Sequence, residues 1–259
     1  MKILITGSNG YIAKSLYDAF KDNHEISLVS RKDFDLSDYV SVDNFFKDKF
    51  FDVVIHTAVN GGSRLSKESW SIMDSNLMMY YNLLRNKSNF TKFIQFGSGA
   101  EFLENETPYG LSKKVISNSI SDLDNFYNIR IFGVFDENEL ETRFIKSSIK
   151  KLISKEEIEV YMDIAMDFFY MKDLITLVNY YIKNDNLPKS IDCTYNKSYK
   201  ISEVANMINS LDENTVEVKI LSEGVNTYIG KFTDLSLNYI GLEEGIKETY
   251  KKIKIKQND

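Results

Sequence analysis

Tyr109-Gly110-Leu111-Ser112-Lys113 sets a phenol and an ammonium four residues apart, which on a helix places them on one face. An unperturbed tyrosine, with a pKa near ~10, is a poor acid–base group at neutral pH. A neighbouring cation favours the phenolate and brings the group toward its working range. Pro108 precedes the pair at a helix start, with Thr107 placed to cap it. Upstream, Phe96-Gly97-Ser98-Gly99-Ala100 closes an apolar run. There the Ser98 hydroxyl could bind a carbonyl oxygen or a developing alkoxide beside Tyr109; the bland alternative is a turn serine. Tyr-x-x-x-Lys recurs by chance, so its meaning depends on what surrounds it.

The surroundings begin at the N-terminus. Gly7-Ser8-Asn9-Gly10-Tyr11-Ile12-Ala13 follows an apolar run and opens an amphipathic stretch. Small residues there let the backbone turn tightly and approach a pyrophosphate, which a helix N-terminus stabilises. Gly7, Asn9, Gly10, Tyr11 and Ile12 are therefore expected to cradle a dinucleotide. A plain structural turn is the alternative, since many tight turns use glycine for positive φ. After the second apolar run stands Ser30-Arg31-Lys32, where a carboxylate would bind the ribose 2′-hydroxyl of NAD. Two cations favour NADP(H), with NAD(H) possible; as plain surface charges, Arg31 and Lys32 would say nothing. Asp35 and Leu36 could flank the adenine, or Asp35 could cap the next helix.

These groups need a scaffold. Residues 2–6, 26–29, 52–56, 92–96 and 128–132 read as buried parallel strands, and 11–21, 40–49, 66–85 and 109–123 as the helices between them. Alternation of this kind predicts an α/β fold, a Rossmann-type doubly wound parallel sheet. Beyond residue 132 the pattern loosens: helices at 141–153, 173–182, 202–209 and 243–253, and strands at 158–161, 190–195 and 216–221. The expected organisation is a nucleotide-binding domain over 1–132, to which 165–190 return. Residues 133–164 and 191–259 then form a small, partly intertwined α/β C-terminal substrate cap.

The chain has 259 residues, ample for a core without staples. One cysteine, Cys193, and two histidines, His24 and His56, predict no disulfide and no metal site. A net charge of −6 argues against a sequence-independent grip on nucleic acid. No run approaches the ~20 apolar residues of a membrane span, and the first residues do not read as a signal peptide. The cytoplasm is the expected compartment.

Taken together these motifs resemble the extended short-chain dehydrogenase/reductase superfamily, in its NAD(P)-dependent epimerase/dehydratase branch that modifies nucleotide sugars. Residues 6–13, Val54-Ile55-His56-Thr57-Ala58, Asn76, Gly97-Ser98 and 109–113 fall in the family order, followed by Ile129-Arg130-Ile131-Phe132, Asp167-Phe168-Phe169-Tyr170 and Ile201-Ser202-Glu203-Val204. The resemblance implies that Thr57, Ala58, Val59 and Asn76 line the cofactor and that Tyr109 and Lys113 touch it. It makes Ser98, Tyr109 and Lys113 the catalytic set. Ser98, Gly99, Tyr109, Arg143 and Phe144 would meet the substrate, with Arg143 as a solvated helix residue the alternative. Homodimers are common in the superfamily, through the helix bearing Trp70, Tyr80 and Tyr81; core packing explains those aromatics equally well.

Residues 30–36 and 58–62 look most like GDP-fucose synthase and related 4-keto reductases. That enzyme type also epimerises, using a cysteine two residues past the serine and a histidine in the cap. Here those places hold Ala100 and no histidine. The 4,6-dehydratases carry Asp-Glu after the catalytic hydroxyl, against Gly99-Ala100 here. Gly133 and Met166 stand where the family often has asparagine and arginine. The expectation is NADPH-dependent reduction of the C4 keto group of a nucleotide diphosphate 4-keto (deoxy)sugar, with GDP inherited from the nearest resemblance. It excludes C3/C5 epimerisation and belongs to surface-polysaccharide biosynthesis. The alternatives are an NAD-retaining 4-epimerase and, in another class, a non-catalytic dinucleotide-sensing protein, which would need only the cradle.

Overall fold

The computed structural model describes residues 1–62, 67–104 and 106–258. Along the chain run β1 (Lys2–Thr6), α1 (Tyr11–Phe20), β2 (Glu25–Val29), α2 (Tyr39–Phe46), β3 (Phe51–His56), α3 (Ser71–Arg85), β4 (Phe90–Ser98), α4 (Pro108–Ser121) and β5 (Phe126–Ile131). Then follow β6 (Val134–Phe135), α5 (Phe144–Ser154), β7 (Ile158–Val160), β8 (Ala165–Met166), β9 (Phe169–Tyr170) and α6 (Met171–Lys183). The last are β10 (Ser190–Asp192), β11 (Tyr199–Lys200), α7 (Ile201–Asn209), β12 (Val218–Ile220) and α8 (Leu242–Asn258). Two compact units result: Met1–Arg130 with Val178–Ile191, and Ile131–Leu177 with Asp192–Asp259. The segment returning to the first unit is thus shorter than the 165–190 expected, because 165–177 pack within the second.

The first unit is built on a six-stranded sheet in the order β10-β5-β4-β3-β1-β2. The pairs β1–β2, β1–β3 and β3–β4 are parallel, with Thr6 beside Val29 and His56. Central strands buried on both faces read as continuous apolar runs, and Ile3, Leu4, Ile5, Val53, Val54 and Ile55 are fully buried. Helix α1 buries Ala13, Leu16 and Phe20, the i, i+3, i+7 stripe its sequence carries. Helix α2 is capped by Asp38, which accepts from the N–H groups of Val40 and Ser41. Asp35 does not cap it; its carboxylate closes a turn on Ser37 one step earlier. Leu36 is drawn into the core with Val42, Phe46 and Tyr80.

Helix α6 ends without a glycine cap. Its last carbonyls are taken by a buried ammonium: Lys92 Nζ, from β4, donates to the carbonyls of Tyr181, Ile182 and Asn184 at 2.8, 3.2 and 2.7 Å. Asp185 completes the arrangement at 3.0 Å. Orphan carbonyls at a helix end need such partners.

The second unit has its own apolar core, in which Ile145 and Ile149 of α5, Val204 and Ile208 of α7, and Ile246 and Tyr250 of α8 meet Ile158 and Val160 of β7. Asp173 pins the start of α8, accepting from the N–H groups of Ile240 and Gly241 at 2.8 and 3.0 Å and from the Tyr195 hydroxyl. Two-stranded pairings β12–β7 and β6–β9 are parallel and β11–β8 is antiparallel. The strand expected over 190–195 stops at Asp192. Cys193 is buried. No helix among the described residues is long and apolar enough to cross a membrane.

Candidate active site

Gly7 leaves β1 with φ +79°, a conformation natural only to glycine. A Cβ there would lie 2.8 Å from Ala58 N and 2.9 Å from Thr57 Oγ1. The tight turn thus lets the ends of β1 and β3 approach. Thr57 Oγ1 donates to the Thr6 carbonyl at 2.6 Å, and Ala58 N–H donates to Thr6 Oγ1 at 3.3 Å. Thr6 Oγ1 also hydrogen-bonds Nδ1 of buried His56, 2.8 Å away. Burial drives the His56 pKa down to about 3, so the ring is a neutral structural partner.

Gly10 begins α1 with its N–H on the Gly7 carbonyl. No side chain caps this helix, and its first turn holds no acidic residue. Its N-terminal N–H groups and partial positive charge suit a phosphate. Tyr11 and Ile12 occupy that first turn, and Asn9 is exposed. Past β2, Asp33 accepts from Ser30 N–H at 2.7 Å and from Ser30 Oγ at 3.0 Å. The acid nearest the strand end is thereby engaged by its own turn. Arg31 and Lys32 stand exposed beside it.

Ser98 ends β4 and caps a short 3-10 helix, Gly99–Phe102, with Oγ accepting from Ala100 N–H at 3.2 Å. Tyr109 and Lys113 ride on α4, which begins with Pro108 and is capped by Thr107 Oγ1 on Gly110 N–H at 3.0 Å. Lys113 Nζ lies 5.7 Å from the centre of the Tyr109 ring and donates to the Phe96 carbonyl at 2.6 Å. Burial lowers the Lys113 pKa to about 8, against the opposing pull of Glu101. The lysine is thus a cation that can lose its charge close to neutrality, beside a phenol. That is the electrostatic setting for moving one proton to or from an oxygen.

Two carboxylates not anticipated as site residues hold these groups. Glu68 accepts from Gly62 N–H at 2.8 Å with one oxygen and from Tyr109 N–H at 3.0 Å with the other. It draws a glycine turn across the tyrosine, so that a Cβ at Gly62 would sit 3.1 Å from the ring. The sequence signal was indirect: the first turn of α4 contains no acid, so its N–H groups require an acceptor from elsewhere. The second is Glu101, a buried side chain rather than a solvated one, which accepts from Ser98 N–H at 3.0 Å.

Asn76 is a buried clamp. Its Oδ1 accepts from Asn60 N–H at 2.8 Å, while Nδ2 donates to the Asn60 carbonyl and to Ser112 Oγ, both at 3.0 Å. Ala58 is half-buried and Val59 exposed. In the second unit, Arg143 is exposed at the N-cap of α5. Phe144 is half-buried, its ring 6.0 Å from that of Phe168. Glu139 accepts from Lys146 N–H at 3.0 Å in the same helix's first turn, and its burial pushes its pKa up to about 8. Gly133 lies close to Met166: a Cβ at 133 would meet Met166 Cε at 3.1 Å. Among the described residues, no group of three or more His, Cys, Asp or Glu could hold a metal ion.

The NAD dependent epimerase/dehydratase family matches residues 3–196. Among solved structures, a GDP-6-OMe-4-keto-L-xylo-heptose reductase from Campylobacter jejuni superposes with a TM-score of 0.80 at 18% identity, over 98% of both chains. A GDP-mannoheptose C4 reductase from the same organism, with NADP bound, gives 0.79 at 20% identity over 98% of both. A UDP-glucose 4-epimerase from Thermus thermophilus in complex with NAD gives 0.79 at 16%, over 98% of this chain and 99% of that one. No curated protein sequence matches the chain.

Proposed function

The chain belongs to the NAD dependent epimerase/dehydratase family, and from that premise we propose that it is an NADPH-dependent reductase of the C4 keto group of a nucleotide diphosphate 4-keto (deoxy)sugar. The observation that carries this is the buried Lys113 ammonium 5.7 Å from the Tyr109 ring centre, on one helical face and beside the Ser98 strand end. The turn from Gly7 to Ile12 would hold the pyrophosphate, and Arg31 with Lys32 a ribose 2′-phosphate. The close approach that Gly7 permits, and the acid-free start of α1, fit such a group. When bound, the nicotinamide supplies the hydride.

Ser98 orients the carbonyl through its hydroxyl. Tyr109 gives its proton to the oxygen as it becomes an alkoxide, and Lys113 stabilises the phenolate left behind. Lys113 would also hold the nicotinamide ribose. C3/C5 epimerisation needs a base at the sugar α-carbons, and the two residues expected for it are absent: position 100 is alanine, and both histidines, His24 and His56, lie in the first unit. We assign GDP as the nucleotide, Arg143 and Phe144 to the diphosphate and nucleobase, and the product to surface-polysaccharide synthesis in the cytoplasm. A homodimer through α3 is part of the proposal: Trp70, Met78 and Tyr81 are exposed there.

The test begins by denaturing freshly purified protein and identifying the dinucleotide released. Little nucleotide, or exchangeable NADP(H), fits a reductase renewed at each turnover; stoichiometric NAD would favour a 4-epimerase. Tyr109→Phe should then abolish NADPH oxidation by GDP-4-keto sugars while retaining NADPH binding. Parental turnover by that variant would exclude the mechanism.

A further inference from the structure

Directly behind the Ser98 strand end lies a buried ionic cluster that the proposed reaction does not use. The Glu101 carboxylate accepts from Ser98 N–H at 3.0 Å and is paired with Arg130 Nε at 2.9 Å, the two side chains being 3% and 15% exposed. Asn128 Nδ2 adds longer contacts of 3.3 and 3.4 Å to the two carboxylate oxygens, and donates to Ser117 Oγ at 2.9 Å. Asn128 Oδ1 is buried without a partner. A lost hydrogen bond of that kind costs about 1–3 kcal/mol, so the amide is committed to donating toward the acid. Gly97 makes room: a Cβ there would overlap the Glu101 carboxylate and lie 2.6 Å from Asn128 Oδ1.

An ion pair this deep is weak as a stabilising device, because desolvation offsets the attraction. Its placement is more telling. Lys113 is faced by Tyr109 on its own helix, the Phe96 carbonyl from β4, His56 from β3 and Glu101 from the 3-10 helix. His56 is neutral over the working range and the carbonyl is uncharged. Among the described residues Glu101, its carboxyl pushed up by burial and held against Arg130, is the acid that acts on that ammonium. Burial acts on the lysine in the opposite direction.

We propose that Glu101 is a positioning residue, anchored by Arg130 and Asn128, which fixes the Ser98 backbone at the end of β4 and supplies a counter-charge to Lys113. This rests on the assignment of Ser98, Tyr109 and Lys113 as the working set. A carboxylate reaching the backbone of one member and the charge of another keeps the two in step. The short 3-10 helix after β4 is the element that delivers it.

The experiment follows the Lys113 ammonium directly, by NMR titration of protein labelled with 15N at lysine, in the parent and in E101Q and E101D. E101Q should titrate Lys113 about one pH unit lower than the parent. The alkaline limb of kcat for ketone reduction should move by the same amount. E101D, which keeps the charge but falls one methylene short of Ser98, should restore the titration while kcat drops about 10-fold. An unmoved Lys113 titration in E101Q, whatever its thermal stability, would overturn the proposal. If E101Q does not fold, E101D decides: parental kcat, or a Lys113 titration displaced as a lost charge requires, would also overturn it. The titration needs no turnover, so a protein inactive on every 4-keto sugar would refute the reductase assignment and leave this result standing on its own.

Discussion

Gly62→Ala is the sharpest perturbation available at the tyrosine. Gly62 has φ +78°, and its missing Cβ would sit 3.1 Å from both Cε2 and Cζ of Tyr109. Ordinary carbon–carbon contacts are about 3.5–4.0 Å, so the ring must withdraw by about 0.4–0.9 Å. A misplacement of about 1 Å can cost on the order of 100-fold in rate; roughly half that displacement corresponds to about 10-fold in kcat, or about 1.4 kcal/mol. The left-handed backbone adds about 1–2 kcal/mol of strain, which lowers stability without reporting on chemistry. Gly61→Ala separates the two effects. It carries the same strain at φ +82°, and its Cβ meets Ile72 at 2.8 Å and Glu68 Oε1 at 3.1 Å rather than the tyrosine ring. Steady-state kcat with NADPH and a GDP-4-keto sugar, alongside urea midpoints, reads both variants. Both should lose stability, and Gly62→Ala alone should lose the 10-fold in kcat. Parental kcat in Gly62→Ala would refute the placement of the ring.

Lys92→Met should destabilise the protein by about 1–3 kcal/mol, because three carbonyls at the end of α6 lose their donor; urea unfolding measures it, and kcat/KM of the folded variant should match the parent. His56 makes stability depend on acid. Its folded pKa, about 3, lies below the ordinary 6.5, so the unfolded chain takes up the proton first. Stability is then complete above pH ~6.5 and falls toward pH ~3 by up to about 1.4 kcal/mol per unit. His56→Asn should flatten that slope in urea midpoints taken from pH 7 to 4, and identical slopes would discount the buried neutral ring. Replacing Arg31 and Lys32 together by serine should weaken NADPH by about 10-fold or more and leave NADH nearly unchanged, as measured by fluorescence titration; equal losses for both would discount contact with the 2′-phosphate.

Much of the sheet was legible because its signals are local. Buried strands announce themselves as apolar runs, and the Gly7 turn, the Pro108 helix start and the Tyr109–Lys113 spacing each lie within a few residues. What escaped was settled by partners distant in sequence. Glu68 and Glu101 look like ordinary solvated acids until the N–H groups of Tyr109 and Ser98 arrive beside them. Lys92 opens the strand expected over 92–96, and its ammonium is buried because the end of α6, about ninety residues later, offers carbonyls. Asp35, offered as a possible cap for α2, gives way to Asp38 three residues on, because Asp35 has already closed its turn on Ser37. In the second unit the strands are two or three residues long, too short for alternation to register.

The edge of the sheet imposes an order of events on synthesis. Asn128 N–H finds its acceptor at the Lys189 carbonyl, 2.8 Å away, and the Lys92 ammonium finds its acceptors at 181–184. A ribosome that has released residue 130 has delivered every residue of the tyrosine, lysine and serine set, but neither of these closures. At about 5–20 residues per second, the roughly sixty residues still to come take about 3–12 s. Through that interval β5 presents an unpaired edge and an ammonium destined for burial has only water. The nascent catalytic half is therefore open to mispairing for seconds, and to whatever chaperone recognises an unfinished sheet. Its completion is set by the pace of translation through a helix that takes no part in the chemistry.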